Sequence, residues 1–148
     1  MKLSTKGRYS SRAMLDLALN YGQGPVSIKD VARRQEISER YLENIMSSLV
    51  SGGLAISTRG RGGGFVLART PNRIRLVEVI RVAEGSIAPV YCVDDPAKCE
   101  RSGQCVTFEV WGMLNKAVTD LLSSITLQDM VRMHNNKNPE KEELMYYI

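Results

Sequence analysis

The spacing of apolar positions predicts three short helices at the start of the chain. The first extends from about Thr5 to Tyr21, and the second begins after Ser27, which resembles the start of a capping box with Asp30. After a turn of only a few residues, Ser38 caps the third helix. The apolar positions of the third helix recur at helical spacing, and they are Leu42, Ile45, Met46 and Leu49. We expect this row to face the core.

A β-hairpin is predicted directly after these helices. Two short apolar runs, Leu54–Ser57 and Phe65–Ala68, flank the segment 58–64, which has the sequence TRGRGGG and forms a flexible basic tip. An extended segment at Ile74–Leu76 and a helix at Val77–Ala83 follow. Three helices and a hairpin are typical of a winged helix-turn-helix. The predicted fold class is therefore mainly α with a small β-hairpin wing (α+β).

A longer apolar stripe is predicted on one helix from Val106 to Ile125. Its two neighbouring rows are Val110, Leu114, Ala117 and Leu121, and Trp111, Val118, Leu122 and Ile125. The stripe is too wide and too long for a small winged domain to cover. We therefore expect a second copy of the chain to cover it in a two-fold homodimer, which makes this a dimerisation helix. A short helix at Thr126–Met133 follows.

These elements predict four parts in the chain of 148 residues. They are a winged helix-turn-helix domain over 1–85, a cysteine loop over 86–105, dimerisation helices over 106–133 and a weakly ordered tail over 134–148. No apolar run approaches the length of a membrane helix, and the first residues lack the apolar core of a signal peptide. We therefore expect no membrane association and a cytoplasmic location.

Charge divides the chain into a basic part and an acidic part. Residues 1–85 contain 14 Lys and Arg against 7 Asp and Glu, a net charge of +7. Residues 86–148 contain 6 against 9, a net charge of −3. A basic first part indicates a nucleic-acid-binding module, although a solvated basic surface would have the same composition.

The polar face of the third helix is the candidate for reading base edges. If its apolar row is buried, then Arg40, Glu43 and Asn44 face outward, and Ser38 lies at the helix start where a phosphate can bind. Asn can form hydrogen bonds with adenine, Glu can accept one from the cytosine amino group, and Arg can donate to guanine or phosphate. A merely solvated face is the alternative, and the neighbouring helix, tight turn and hairpin favour DNA.

The tip of the hairpin is the second candidate contact with DNA. Arg59 and Arg61 are separated and followed by glycines, of which Gly62 is one, and these allow a close approach to a groove. Arginine is favoured in a narrow minor groove by the negative potential there. A nucleotide phosphate loop is disfavoured because the Gly-Lys-Ser/Thr ending and a following helix are missing. A flexible turn alone does not account for two arginines.

All three cysteines lie in one polar segment, as Cys92, Cys99 and Cys105. Thiolates bind zinc and iron–sulfur clusters, and the Cys-x6-Cys-x5-Cys spacing differs from that of a structural zinc ribbon. Oxidant-responsive thiols and simple packing are the alternatives, and we favour a metal or cluster. The single histidine, His134, is distant in sequence, while four carboxylates are nearby, at Asp94, Asp95, Glu100 and Glu109.

Several segments together resemble the IscR-type family of winged-helix transcription regulators. They are MKLSTKGRYSSRAMLDLAL, ISERYLENIMSSL, LAISTRGRGGGFVLAR, and the cysteine loop followed by a helix containing Trp. The resemblance implies a homodimeric regulator whose cysteine loop binds an iron–sulfur cluster, commonly [2Fe–2S]. In the relative NsrR, a nitric-oxide sensor, the cluster can be [4Fe–4S], and CymR, which regulates cysteine metabolism, has none.

Carried over residue by residue, the resemblance assigns both proposed sites. It implies that Cys92, Cys99 and Cys105 are cluster ligands, and that the DNA-reading elements are Ser38, Arg40, Glu43, Asn44, Arg59 and the tip 60–64.

The chain departs from the family pattern in one spacing and at two residues. The first cysteine spacing is one residue longer, the expected histidine ligand is Phe108, and the carboxylate that some relatives use is Arg8. The fourth ligand is left open among Glu109, Thr107, a residue of the partner subunit and an exogenous thiol.

The expected function is transcription regulation through a pseudo-palindromic site on double-stranded DNA, sensing cluster, iron or redox status. A [2Fe–2S] cluster is favoured over [4Fe–4S]. No nucleophile–base pair is evident, so we expect no enzymatic activity. The alternatives are a cluster-free regulator that responds to thiol chemistry or to a partner protein, and an iron–sulfur redox protein.

Overall fold

The computed structural model describes residues 2–139, which form seven α-helices and one antiparallel pair of strands. The helices are α1 (Thr5–Leu19), α2 (Ile28–Gln35), α3 (Glu39–Ser51), α4 (Leu76–Glu84), α5 (Tyr91–Asp94), α6 (Val106–Ser124) and α7 (Leu127–Lys137). The strands are β1 (Ala55–Thr58) and β2 (Gly64–Leu67). Three helices followed by a hairpin confirm the predicted winged-helix fold class.

Serine side chains begin the first three helices, and two of them, Ser27 and Ser38, are predicted from the sequence. The hydroxyl oxygen of Ser4 accepts from the backbone N–H of Gly7 at 3.0 Å, and that of Ser27 accepts from Asp30 at 3.2 Å. Ser38 accepts in the same way from Tyr41 at 3.3 Å. Each such cap stabilises a helix by roughly 1 kcal/mol because it satisfies a backbone donor that has no partner inside the helix.

The core of the winged domain lies between α1, α3 and α4. The apolar row of α3 is buried as predicted, and its four residues are at most 1% exposed. Also buried are residues of α1 and α4 that are at most 2% exposed, and these are Ala13, Met14, Leu17, Val79 and Ile80. The helical spacing of the apolar residues therefore determines which face of α3 is left for solvent.

The wing is fastened to the segment that precedes α2. Its strands pair from Ala55 opposite Leu67 to Thr58 opposite Gly64, so each strand is displaced by one residue from its predicted bounds. Val26 and Phe65 exchange two backbone hydrogen bonds of 2.9 and 2.8 Å on the other side of β2. Gly64 allows this approach, because a Cβ atom there would overlap the carbonyl oxygen of Val26.

Helix α7 returns the chain to the winged domain after α6. Leu127 is 0% exposed within the same core, and its N–H donates to the carbonyl of Ile74 at 2.9 Å. Thr126 and Asp129 form a capping box at the start of α7. The helix ends at Lys137 rather than at Met133, so residues 134–137 of the predicted weakly ordered tail are helical.

Two physical features explain the longer helix. Its inward face packs on the core, and basic side chains occupy its last turn, where they complement the helix dipole. The predicted tail from 140 onward lies outside the described residues.

Helix α6 differs from α3 and α7 in its exposure, because none of its 19 residues is buried. In the row predicted to meet a partner, Val110 is 46% exposed and Leu121 is 60% exposed. Val118, Leu122 and Ile125 of the second row are half-buried. Within the described part of the chain, no helix combines the length and apolar character needed to cross a membrane.

Candidate DNA-reading face and cysteine segment

The proposed reading residues of α3 lie on its solvent face. Arg40, Glu43 and Asn44 are exposed, and Ser38 is exposed at the start of the helix. This outward direction follows from the buried apolar row, because 3.6 residues per turn place these side chains on the opposite side. The arrangement leaves several hydrogen-bonding groups free to meet base edges and phosphates.

The wing tip is equally accessible. Arg59 and Arg61 are exposed, and neither forms an ion pair with another of residues 2–139. Gly60 and Gly62 have φ angles of 96° and 72°, a left-handed conformation that glycine adopts without steric cost. The tip can therefore turn tightly and present two guanidinium groups without a competing carboxylate.

An open groove of about 300 Å³ joins α3 to the wing. Its walls are formed by Glu43, Ser47, Val50, Ser51, Ser57 and Phe65. The structure thus brings Glu43 onto the same surface as the wing strands. A double helix lying on this surface can meet both elements at once.

One ion pair that supports α2, between Asp16 and Arg34, was not predicted from the sequence. Asp16 of α1 is 1% exposed, and its carboxylate accepts two hydrogen bonds from Arg34, from Nε at 3.0 Å and from the terminal nitrogen at 2.7 Å. The hydrogen bond with Asp16 is the main reason why the pKa of Arg34 is raised above its ordinary value. A single acidic residue inside the apolar run MLDLAL was the available signal.

The cysteine segment consists of short turns held by local hydrogen bonds. Cys92 lies in the single-turn helix α5, Cys99 follows a 3-10 turn at Pro96–Lys98, and Cys105 is the residue before α6. All three thiols are free and half-buried. The hydroxyl of Ser86 donates to Asp94 at 2.6 Å, which ties the start of the segment to the end of α5.

Cys105 has the most distinctive surroundings of the three thiols. Its sulfur lies 3.1 Å from the hydroxyl oxygen of Thr107. That hydrogen bond, followed by one from the backbone N–H of Phe108, lowers the pKa of Cys105. Glu109 is exposed in the first turn of α6. Two candidates for the fourth ligand, Thr107 and Glu109, therefore lie within four residues of this thiol.

The structure does not assemble a finished metal site from these groups. Across residues 2–139, no three or more side chains of His, Cys, Asp or Glu are grouped closely enough to hold a metal ion. The three cysteines share one segment, and their side chains would have to move together to bind a common centre.

The end of α4, which leads into the cysteine segment, is joined to the start of α1 through Glu84, the last residue of that helix. Its carboxylate accepts from the backbone N–H of Ser4 at 2.9 Å and from the Ser4 hydroxyl. Gly7 leaves room for this carboxylate, since a Cβ there would overlap it. Gly85, with φ 76°, then redirects the chain into the segment. The carboxylate of Glu84 thus ties the start of α1 to the end of α4, two residues before the cysteine segment begins.

Comparison with known proteins gives a consistent result along the whole chain. The family model described as "Rrf2: Iron-dependent Transcriptional regulator" matches residues 3–133. The chain is 40% identical over 148 residues to the HTH-type transcriptional regulator CymR of Bacillus subtilis, covering 100% of each. The solved structure of CymR (YrzC), described as the global cysteine regulator of B. subtilis, has a TM-score of 0.75 at 40% identity and covers 90% of this chain and 98% of that one. The structure of T. potens IscR has a TM-score of 0.76 at 41% identity, with coverages of 93% and 90%.

Proposed function

The chain belongs to the Rrf2 family of transcription regulators, and from this premise we propose that it recognises a specific DNA site with α3 and the wing. The family consists of regulators, so the chain is not an enzyme. The proposal includes a cytoplasmic location, where such a regulator has access to DNA. The observation that supports the mode of binding is the shared surface of α3 and the wing, with exposed polar side chains and two exposed arginines.

In this arrangement each element has a distinct task. Helix α3 enters the major groove, where Arg40, Glu43 and Asn44 contact base edges and Ser38 contacts a phosphate. The wing places Arg59 and Arg61 in the adjacent minor groove, and Gly62 allows the backbone of the tip to approach closely. The side chains of α3 supply sequence preference, and the arginines supply affinity and a response to groove width.

The proposal includes a homodimer formed through the exposed stripe of α6. Six large apolar side chains of this helix are at least 38% exposed, and these are Val106, Val110, Trp111, Met113, Leu114 and Leu121. A contiguous apolar surface of this kind is unfavourable in water and favours association. A two-fold dimer would present two copies of α3 to successive major grooves of a pseudo-palindromic operator.

Substitutions in the two reading elements test this mode of binding. Against a duplex selected from a random pool, Arg59→Ala should weaken binding at all sequences and reduce its salt dependence, since it removes a contact with the DNA backbone or groove. Glu43→Ala should relax preference at one base position, by about 1–3 kcal/mol of discrimination. Arg132→Ala, on α7, is the control with the same loss of charge. Unchanged binding and selectivity in both test variants would contradict the placement of α3 and the wing.

We further propose that the segment 86–105 binds an iron–sulfur cluster through Cys92, Cys99 and Cys105, with [2Fe–2S] favoured over [4Fe–4S]. The donor set fits in its chemistry, because three accessible thiols occur on one short segment and the pKa of Cys105 is lowered toward the thiolate form that binds iron. The description of the matching family as iron-dependent supports an iron-containing group at this segment, and the preference for [2Fe–2S] follows from the family resemblance alone. Thr107 and Glu109 are the candidates within this chain for a fourth ligand.

A bound cluster would supply a group whose presence or oxidation state depends on iron supply and redox conditions. The residues of the chain would convert that dependence into a change of position. One end of the segment follows α4, whose last residue, Glu84, accepts a hydrogen bond from the N–H of Ser4 at the start of α1, and the other end continues directly into α6. Reorganisation of the three thiols would therefore act on the winged domain and on the dimer helix together, and DNA affinity must differ between the two states.

Anaerobic purification with iron and sulfide analysis and a visible spectrum tests the cluster. We expect iron, acid-labile sulfide and visible absorption in the wild-type chain, and loss of all three in Cys92→Ala, Cys99→Ala and Cys105→Ala. Ser102→Ala, in the same segment, should retain them. A colourless wild-type chain without iron after reconstitution would exclude the cluster and leave the DNA-binding proposal intact.

Two observations favour a second candidate, a cluster-free regulator that responds to thiol chemistry. The cysteines are not grouped as a metal site within residues 2–139, and the 40% identity to CymR extends over all 148 residues. In that case, the iron-free chain should change its affinity for the selected duplex on mild oxidation and recover it on reduction. A triple Cys→Ser variant should lose this response and still bind DNA.

A further inference from the structure

The last residue of α2 is held by α1 on several sides. The side-chain amide of Gln35 donates to Asp16 at 3.1 Å, and its side-chain oxygen accepts from Arg12 Nε at 3.3 Å. The Arg12 guanidinium also donates to the backbone carbonyl of Gln35. With the Asp16–Arg34 pair, these contacts form what we call the α1–α2 clamp, which consists of Arg12, Asp16, Arg34 and Gln35.

The clamp ends at the peptide that leads into the turn before α3. The next residue, Glu36, has φ 55° and ψ 45°, and it is the one non-glycine residue with positive φ in the described part of the chain. This left-handed conformation brings the Cβ of an L-residue close to the following carbonyl oxygen, whereas glycine has no Cβ and adopts it without that cost. Helix-turn-helix turns often contain glycine, so a glutamate here needs a surrounding structure that holds the conformation in place.

The carbonyl of Gln35 belongs to the same peptide plane as the N–H of Glu36. Arg12 fixes that carbonyl, and Asp16 holds the side chains of the two residues that precede it, Arg34 and Gln35. These contacts restrict the rotations by which the turn could relax. The chain then reaches Ser38 and α3 within two residues, so the turn conformation sets the direction of the reading helix.

Assuming the proposed function of α3, we propose that Asp16 is a positioning residue for DNA recognition, acting through the α1–α2 clamp to hold Glu36 in its left-handed conformation. Burial of an ion pair is weak support for stability, because removing charges from water offsets much of their attraction. A role in selecting one conformation explains better why a buried carboxylate in α1 engages the two residues that end α2.

A double-mutant cycle tests this role in the full-length chain. Asp16→Asn removes the charge and retains the side-chain shape, and we expect the affinity for the selected duplex to fall about tenfold, because only about one molecule in ten would keep the competent turn. Glu36→Gly makes the left-handed conformation accessible without the clamp. In the Asp16→Asn background it should restore affinity to within about threefold of wild type, and in the wild-type background it should have little effect.

The result can be separated from loss of folding. Circular dichroism and thermal unfolding establish the folded fraction of each variant, and Asp30→Asn is a matched control because Asp30 forms an exposed pair with Arg33 on α2. If Asp16→Asn does not fold, Arg12→Met tests the same carbonyl and leaves the buried ion pair intact. Wild-type affinity in folded Asp16→Asn, or an equal effect of Glu36→Gly in both backgrounds, would overturn the positioning role.

A second measurement does not depend on DNA. The N–H of Ile37 donates to the carbonyl of Ala32 at 3.1 Å, and its hydrogen exchange reports on the turn. Exchange at Ile37 should accelerate in Asp16→Asn and return toward the wild-type rate in the double variant, whereas unchanged exchange would overturn the link between the clamp and the turn. A wild-type chain that bound no duplex would contradict the proposed function itself, and this measurement would still decide whether the clamp holds the turn.

Discussion

The winged domain and helix α6 carry similar apolar patterns and use them in different ways. The apolar row of α3 is buried inside the chain, at 0–1% exposure, while Leu121 in the corresponding row of α6 is 60% exposed. Both rows repeat at helical spacing. Periodicity therefore identifies a face that is favoured to be covered, and the amount of neighbouring structure decides whether the chain itself covers it. For α6 we propose that a second copy of the chain does so.

The largest expected effect on stability distinguishes apolar residues buried in the core from those exposed on α6. Leu127→Ala creates a cavity in the core and should lower the free energy of unfolding by about 2–5 kcal/mol at every protein concentration. Leu121→Ala should act mainly by weakening the dimer, so its effect on the unfolding midpoint should depend on concentration. Chemical unfolding at several concentrations, together with sedimentation, distinguishes the two. Unchanged dimer mass in Leu121→Ala and in Leu114→Ala would contradict the proposed interface.

The comparison also explains how much of the molecule could be predicted from its sequence. The helices, the wing and the buried row of α3 follow from spacing, caps and turn residues, which act locally. The partial burial of Val118 and Leu122 was not predictable, because both rows of α6 are apolar and only the packing of α4 distinguishes them. Asp16 was missed because its partners lie 18 and 19 residues away, in another helix.

The cysteine segment was the least predictable part. Its turns depend on individual hydrogen bonds, such as that between Ser86 and Asp94, and these have no periodic signature. The sequence places three cysteines on one short segment, but their spacing along the chain does not determine the distances between their sulfur atoms. The residues that would gather them, including a fourth ligand, are not determined by a local pattern.

An intermediate effect is expected at the contact between the wing and the helical body. Gly64→Ala should destabilise the fold by about 1–3 kcal/mol, because the new Cβ would overlap the backbone of Val26 and force the wing away from α2. DNA affinity should fall as well. Gly53→Ala is the control, since Gly53 also has positive φ, at 76°, but has open space around it. Equal losses of stability and affinity in both variants would show that backbone strain, rather than wing position, is responsible.

The smallest effect concerns two ion pairs, one in each region. Burial acts to raise the pKa of Glu78, but hydrogen bonds from the Arg75 backbone N–H and from Arg69, at 2.8 and 2.6 Å, together hold its pKa below the ordinary value. A carboxyl group with a lowered folded-state pKa stabilises the fold fully above its ordinary pKa, and this contribution is lost as pH falls through the folded value. Its contribution is a few tenths of a kcal/mol because the pair is partly exposed.

Glu78→Gln should therefore reduce stability slightly at neutral pH and converge with wild type in acid, as measured by thermal unfolding from pH 7 to pH 3. Asp120→Asn removes the exposed pair with Lys116 on α6, whose side chains are 64% and 77% exposed, and should leave the unfolding curves nearly unchanged. A larger effect at Asp120 than at Glu78 would mean that charges on α6 are ordered by a partner subunit in the proposed dimer. The electrostatic difference between the two regions would then arise from assembly and not from the fold of a single chain.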